Sequence, residues 1–387
     1  MKRKKILWLC SWYPSEADPF NGDFVQRHAK AAALFNDIHV IHVGGSATIN
    51  AQVGSLIQKE NLTEHVIVYK SKKGIIGRFY NHLLWRKLFK QAVEDYINEN
   101  GKPDLVHVHV PVKAGLIALW VKRKYNILYL VTEHWAIYHS ENRNNLSKRS
   151  GLFKQVLKSI IKNSALLTPV SDNLGGLINK NVYAKPYKVI PNTVNTDFFN
   201  YNNQQPPVEK FRFIHVSNLT YQKNAETIVQ VFAKLASEMR NIELVIAGPA
   251  STGFAESVSS TGLLNQSIWL MGEISYEQVA EEMKRSHALI LFSRYENLPC
   301  VVVEALCCGL PVISTPVGGI PEHLNRENSI LVESENTNQL ADAIIDMVNN
   351  YSRFNRKQIA TSGQNKFSFP AIGKRLTELY NALSEKQ

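Results

Sequence analysis

The amino-acid sequence predicts an α/β protein made of two doubly wound parallel-sheet domains. Three observations carry that expectation. Short apolar runs alternate with amphipathic helical stretches along the 387-residue chain, the order that parallel sheets with right-handed crossovers require. The alternation forms two series, and the chain is long enough for two full cores. Between the series lies Asn195–Lys210, whose segment Asn200-Tyr201-Asn202-Asn203-Gln204-Gln205-Pro206-Pro207 is polar and proline-bearing and reads as a linker. The expected domains are residues 1–197 and 198–370. Residues 371–387 form a last helix expected to pack back on the first domain.

In the first series the strand candidates are Ile6–Cys10, Ile38–Val43, Leu105–His109, Ile127–Thr132 and Ala165–Pro169. In the second they are Phe211–Val216, Ile242–Ala247, Ala288–Phe292 and Pro311–Ser314. Their predominantly apolar character suits strands covered on both faces. Helical spacing is clearest in Ala225–Ala236, Tyr276–Arg285 and Ile372–Leu383. No internal repeat or long low-complexity tract interrupts the pattern.

Hydrophobic residues make up 44% of the chain and charged residues 20%, ordinary values for a globular protein. No apolar stretch approaches the ~20 residues that span a bilayer. The start, Met1-Lys2-Arg3-Lys4-Lys5 followed by Ile6–Cys10, has too short an apolar run and no small-residue cleavage site for a signal peptide. A cytoplasmic protein is therefore expected. Cys10, Cys300, Cys307 and Cys308 have no metal or redox spacing and read as reduced, small core residues. The net charge of +11 is uneven. Residues 1–200 hold 28 Lys and Arg against 14 Asp and Glu, whereas residues 201–387 hold 16 against 19. One domain is thus expected to face an anionic surface.

The most informative segment is Arg294–Ile313. Glu296 and Glu304 lie on either side of Pro299, which suits the first position of a helix. The amides of Cys300 and Val301 would then point out of the helix amino end, where the macrodipole favours phosphate. Glu304, on the second turn among Val301-Val302-Val303 and Ala305-Leu306-Cys307-Cys308, needs a partner in such apolar company; the vicinal diol of a ribose would supply one. Glu296 can reach what hangs beyond the phosphates.

With these residues the chain resembles the retaining, sugar-nucleotide-dependent glycosyltransferases of family 4, whose GT-B fold implies two Rossmann-like domains facing a central cleft. The Glu296–Glu304 pair matches that family's E-x7-E motif, and Gly309-Leu310-Pro311-Val312-Ile313 and Val317-Gly318-Gly319-Ile320-Pro321-Glu322 match the segments after it. Val189-Ile190-Pro191-Asn192-Thr193-Val194 resembles the hinge segment, and Ser11-Trp12-Tyr13-Pro14 with Asn21-Gly22-Asp23-Phe24 resembles the first strand-to-helix loop. The resemblance implies that Glu304 binds the ribose, that Glu296 contacts the transferred sugar, and that amides at Leu298, Cys300 and Val301 hold the diphosphate. It also implies that Gly22 admits backbone to the phosphates, that Lys223 neutralises the diphosphate and that His109 lies near the reacting sugar carbon. Asn218 stands where the family usually carries an arginine, with Arg294 a candidate replacement. His134 is an acceptor-side candidate.

The resemblance implies a nucleotide-sugar donor, with a UDP-sugar favoured, and no cofactor. The implied acceptor is a glycan, most naturally lipid-linked, in cell-surface polysaccharide synthesis. The chain holds no Asp-x-Asp, so metal-independent transfer is expected, with oriented amides and Lys223 serving the leaving group. Residues 70–91 and 143–162 interleave cations with aromatics and leucines, which suits an anionic membrane surface at the inner face of the plasma membrane. Ordinary surface helices with a core-facing stripe are the plain alternative. A metal-dependent hydrolase using His107 and His109, with His134 as third ligand, is the rival enzyme class, since i and i+2 on a strand share a face. A basic nucleic-acid binder is the non-enzymatic rival, but base-stacking and helix-turn-helix signatures are missing, so no nucleic-acid partner is expected.

Overall fold

Apolar runs covered by helices on both faces become the middle strands of two sheets. In the computed structural model, which describes residues 3–202 and 209–385, the chain divides into two units. The first takes the described residues up to 138, residues 144–193 and those from 369 on; the second takes 139–143 and 194–368. The units thus part at 193/194 and 368/369 rather than at the expected 197/198 and 370/371, and five residues from the first half belong with the second unit. The proline-bearing part of the expected linker, residues 203–208, lies outside the described residues.

The first unit contains β1 (Lys5–Cys10), α1 (Asp23–Ala33), β2 (Asp37–Ser46), β3 (Val53–Lys59), β4 (Leu62–Lys70), α2 (Gly74–Asn100), β5 (Leu105–His109), α3 (Ala114–Tyr125), β6 (Tyr129–Glu133), α4 (Gly151–Asn163), β7 (Leu166–Pro169) and α5 (Asp172–Asn181). The sheet order is β3-β4-β2-β1-β5-β6-β7. Every pairing is parallel except β3 with β4, so this sheet is mixed rather than wholly parallel. The hairpin was not expected because β3 is an edge strand whose Leu56 and Ile57 are exposed; nothing forces a continuous apolar run there. Similarly, β6 starts two residues later than the apolar run suggests.

The second unit contains β8 (Phe211–Val216), α6 (Ala225–Ala236), β9 (Ile242–Ala247), α7 (Thr252–Ser259), β10 (Ile268–Gly272), α8 (Tyr276–Lys284), β11 (Ala288–Leu291), α9 (Cys300–Cys307), β12 (Val312–Ser314), β13 (Ser329–Leu331), α10 (Thr337–Asn349) and α11 (Arg356–Phe367). Its all-parallel order is β10-β9-β8-β11-β12-β13. The edge strands β10 and β13 were again not foreseen. Trp269 and Met271 of β10 face solvent, and β13 is three residues long.

The chain closes with α12 (Phe369–Ser384), which lies on α1 in the first unit. Ile372, Leu376, Leu379, Tyr380 and Leu383 join the core built by β1, β2 and α1. The approach is close at Gly373, where an added Cβ would meet the Ala31 carbonyl oxygen at 2.2 Å. Gly373→Val is therefore expected to cost about 1–3 kcal/mol through overpacking. Thermal unfolding should report it as a lower midpoint.

Candidate active site

In the second sheet the strand order reverses between β8 and β11, which opens a crevice at their carboxyl ends. The segment after β8 carries Asn218, Tyr221 and Lys223, and the segment after β11 carries Glu296; Arg294 N donates to Gln222 O at 2.8 Å and ties the two together. Glu296 is buried. Its carboxylate accepts from Lys223 Nζ at 2.5 Å, Ser293 Oγ at 2.8 Å and Gln222 Nε2 at 3.1 Å. A buried carboxylate requires such company. The sequence pointed to Glu296 and Lys223 separately, but gave no sign that they would pair or that Ser293 and Gln222 would join them.

Helix α9 begins at Cys300, with Pro299 in the N-cap position at φ −69° and ψ 129°. Pro299 therefore stands one residue before the expected first helical position, since its extended ψ belongs to the incoming loop. The first-turn amides of a helix have no acceptor four residues back. Cys300 and Val301 occupy that turn and are half-buried, whereas Leu298 is buried. Glu304, one turn on, is only 3% exposed, so it is not a solvated acid on a helix surface. The loop is pressed from behind by Gly318 at φ +59°, where a Cβ would meet Glu296 O at 1.7 Å, and Gly319 N donates to Asn297 O at 2.7 Å. Only glycine fits that combination.

Asn218 is exposed and accepts from Thr220 Oγ1 at 2.9 Å. Arg294, the candidate replacement for the missing arginine, pairs through Nε with Glu335 at 2.5 Å and donates from Nη1 to Tyr221 O at 2.5 Å. Its guanidinium is committed to that fixed arrangement. The side chain of Asn297 accepts from His139 Nε2 at 2.7 Å, a contact without a sequence signal.

In the first sheet the order reverses between β1 and β5. Gly22 follows the β1 loop and caps α1 at φ +75°; a Cβ there would meet Trp12 C at 2.6 Å. Local sterics alone thus demand a glycine. His109 ends β5 with neither ring nitrogen hydrogen-bonded. Its ring stacks on Trp8 at 4.0 Å and on His134 at 5.8 Å, with His28 at 6.2 Å. The structure brings His109 and His134 together, with His109 fully buried and His134 half-buried.

His107 and His109 share a face, as expected, with ring centroids 4.1 Å apart, but the metal reading fails on His107. Thr168 Oγ1 donates to Val131 O at 3.1 Å, so the Thr132 hydroxyl donates to Thr168 and must accept from His107 Nε2–H at 2.7 Å. His107 Nδ1 then accepts from Tyr380 OH at 2.8 Å. Both nitrogens are used, and among the described residues no group of three or more candidate ligands converges. His107 is a satisfied core histidine.

Two tests follow from this chemistry. Lys223→Met should cost roughly 3 kcal/mol, because Glu296 stays buried without its cation, and adding Glu296→Gln should recover most of it in urea denaturation. Burial lowers His28 to about 4 and also pushes His109 and His134 below the usual 6.5. The unfolded chain then binds more protons, so stability should fall as the pH drops from about 6.5 towards 4. Burial raises Glu133 from 4.5 to about 7, which opposes that slope over the same range. Glu133→Gln should make the acid-side loss steeper in denaturant midpoints.

The family model described as Glycosyltransferase Family 4 matches residues 29–198, and the one described as Glycosyl transferases group 1 matches residues 198–366. An uncharacterized glycosyltransferase of Methanocaldococcus jannaschii is 25% identical over 368 residues, covering 91% of this chain and 98% of its own. A Bacillus subtilis protein, provisionally named a teichuronic acid biosynthesis glycosyltransferase, is 24% identical over 365 residues, 88% of each chain. Among solved structures, Anabaena HepE in complex with UDP superposes with a TM-score of 0.73 at 15% identity, over 98% of this chain and 100% of the other. With both sheets, the acidic loop and the two contiguous family matches in agreement, the chain belongs to the family 4 glycosyltransferases of GT-B fold.

Proposed function

We propose that this glycosyltransferase transfers a sugar from a nucleotide-sugar donor, a UDP-sugar by preference, to a lipid-linked glycan, with retention of configuration and without a metal. The observation that carries the donor reading is the arrangement around α9. Glu296 and Glu304 stand on either side of its amino end, with Lys223 held against Glu296 at the sheet's reversal point. Glu304 would bind the ribose, and the amides at Leu298, Cys300 and Val301 would take the diphosphate. Lys223 would exchange Glu296 for the leaving phosphate, freeing Glu296 to bind the transferred sugar. Asn218, at the exposed rim, would add a neutral contact. Departure of the diphosphate with the C1–O bond's electrons, and attack by the acceptor hydroxyl on the same face with its proton passing to the departing phosphate oxygen, would retain configuration, since no carboxylate nucleophile is assigned.

In the first unit, Gly22 would let its loop approach the phosphates. His109 would give its unbonded nitrogens to a sugar hydroxyl after a shift of the stacked His134, and His134 would then face the acceptor. The UDP in Anabaena HepE and the name of the Bacillus subtilis relative support the donor and polysaccharide readings.

Among the described residues, no helix is long and apolar enough to cross a membrane. The basic segments divide in the structure. Trp85, Phe89 and Val93 of α2 are buried, as are Leu157, Ile160 and Ile161 of α4. The first turns of α2 expose Ile75, Ile76, Phe79 and Leu83, and α4 exposes Leu152. Helices α2, α3 and α4 together carry ten Lys and Arg, and their acids are confined to Glu94, Asp95 and Glu99 late in α2. A groove of about 430 Å3 between these helices is lined by Trp85, Arg86, Lys90, Trp120 and Arg123. Exposed apolar residues beside cations suit an anionic bilayer surface, which favours work at the cytoplasmic membrane face.

In a screen of nucleotide sugars, one donor should raise the thermal midpoint and be slowly hydrolysed. Glu304→Ala should abolish that stabilisation, and Glu296→Ala should lower turnover by about 10²–10³-fold; wild-type rates in both would refute the site. Pelleting with anionic vesicles should weaken with salt and be lost in Ile76→Glu/Phe79→Glu. Equal pelleting with neutral vesicles would contradict the charge argument.

A further inference from the structure

Residues 139–143 belong to the second unit although their chain neighbours on both sides belong to the first. They form neither helix nor strand, yet both ends of the segment grip the candidate donor site. At one end the buried His139 donates from Nε2 to Asn297 Oδ1 at 2.7 Å, and its ring lies 5.9 Å from that of Tyr295. At the other end the Arg143 guanidinium lies 3.9 Å from the Tyr221 ring centroid, and that of Arg294 lies 4.1 Å from the same centroid. Both guanidiniums therefore pack against the Tyr221 ring. Tyr295 and Asn297 flank Glu296 in the chain, and Tyr221 precedes Lys223 by two residues. One five-residue segment therefore touches both loops whose acid and lysine meet in the ion pair.

We propose that residues 139–143 position the donor site. His139 fixes Asn297, and through it the Glu296–Pro299 approach to α9; Arg143 fixes Tyr221, and through it the turn that carries Lys223. This inference rests on the reading of the α9 amino end as the diphosphate site. His139 and Arg143 are positioning residues, acting through their neighbours rather than on the donor. Asn297 is gripped from both sides, its backbone oxygen by Gly319 N at 2.7 Å and its side chain by His139. Removing one grip lets the loop choose among conformers, and the donor must then restore the order on binding. Glutamine offers a similarly placed N–H donor and should substitute for His139.

The test uses the full chain and titrates UDP and GDP by calorimetry, comparing wild type with His139→Ala, His139→Gln and Arg143→Ala. His139→Ala should weaken binding about tenfold, equivalent to one well-placed hydrogen bond. His139→Gln should restore it, and the exposed Arg143→Ala should weaken it about threefold. Arg143→Ala decides the matter if His139→Ala fails to fold. Two results would overturn the inference: His139→Ala and Arg143→Ala binding like wild type, or His139→Gln binding no better than His139→Ala. Glu304→Ala separates the two levels of the argument. If Glu304→Ala loses nucleotide while the 139–143 variants keep it, positioning fails and the donor reading stands. If Glu304→Ala binds normally, or if wild type binds neither nucleotide, the donor reading fails and the positioning role falls with it.

Discussion

The ion pair between Glu296 and Lys223 is the constraint on which the rest of the second unit depends. A carboxylate only 4% exposed needs a cation and further donors, and Lys223, Ser293 and Gln222 supply them. Satisfying that one side chain fixes the loop after β8 against the loop after β11. It also sets where the chain enters α9, and therefore where the first-turn amides point. Gly318 completes the arrangement by bringing backbone against Glu296 where a side chain has no room.

Both sheets place their functional candidates at the point where strand order reverses. Parallel strands send each following loop out at the same edge, and at a reversal two adjacent loops diverge and leave a crevice between them. In the second unit those loops carry Lys223 and Glu296; in the first they carry Gly22 and follow His109. The two crevices differ in chemistry. The second holds a paired acid and lysine beside a helix amino end, suited to a charged leaving group. The first holds stacked neutral imidazoles, where burial depresses protonation, suited to the hydroxyls of a sugar.

What the sequence revealed and what it hid follow from one physical distinction. Strands covered on both faces must be largely apolar, so β5, β8 and β9 were legible to the residue in spite of His107, His109, Arg212, His215 and Glu243. Edge strands such as β3 and β10 need only half-cover, and their exposed Leu56 and Trp269 break the pattern. Glu304 stood out because an acid inside an apolar helix demands a reason. His139 did not, because its partner Asn297 is 158 residues away and nothing local marks either one. His107 looked like a ligand by its spacing from His109. Only the hydroxyl chain through Thr132 and Thr168 shows that both its nitrogens are already taken.

The central claim is that the amino end of α9 captures a diphosphate and that Lys223 gives up Glu296 to meet it. A crystal structure with the bound nucleotide sugar tests this most directly. The account predicts phosphate oxygens on the amides of Cys300 and Val301, ribose hydroxyls on Glu304, and Lys223 Nζ moved from Glu296 to phosphate. Nucleotide bound elsewhere, or the Lys223–Glu296 pair intact beside a bound diphosphate, would contradict it.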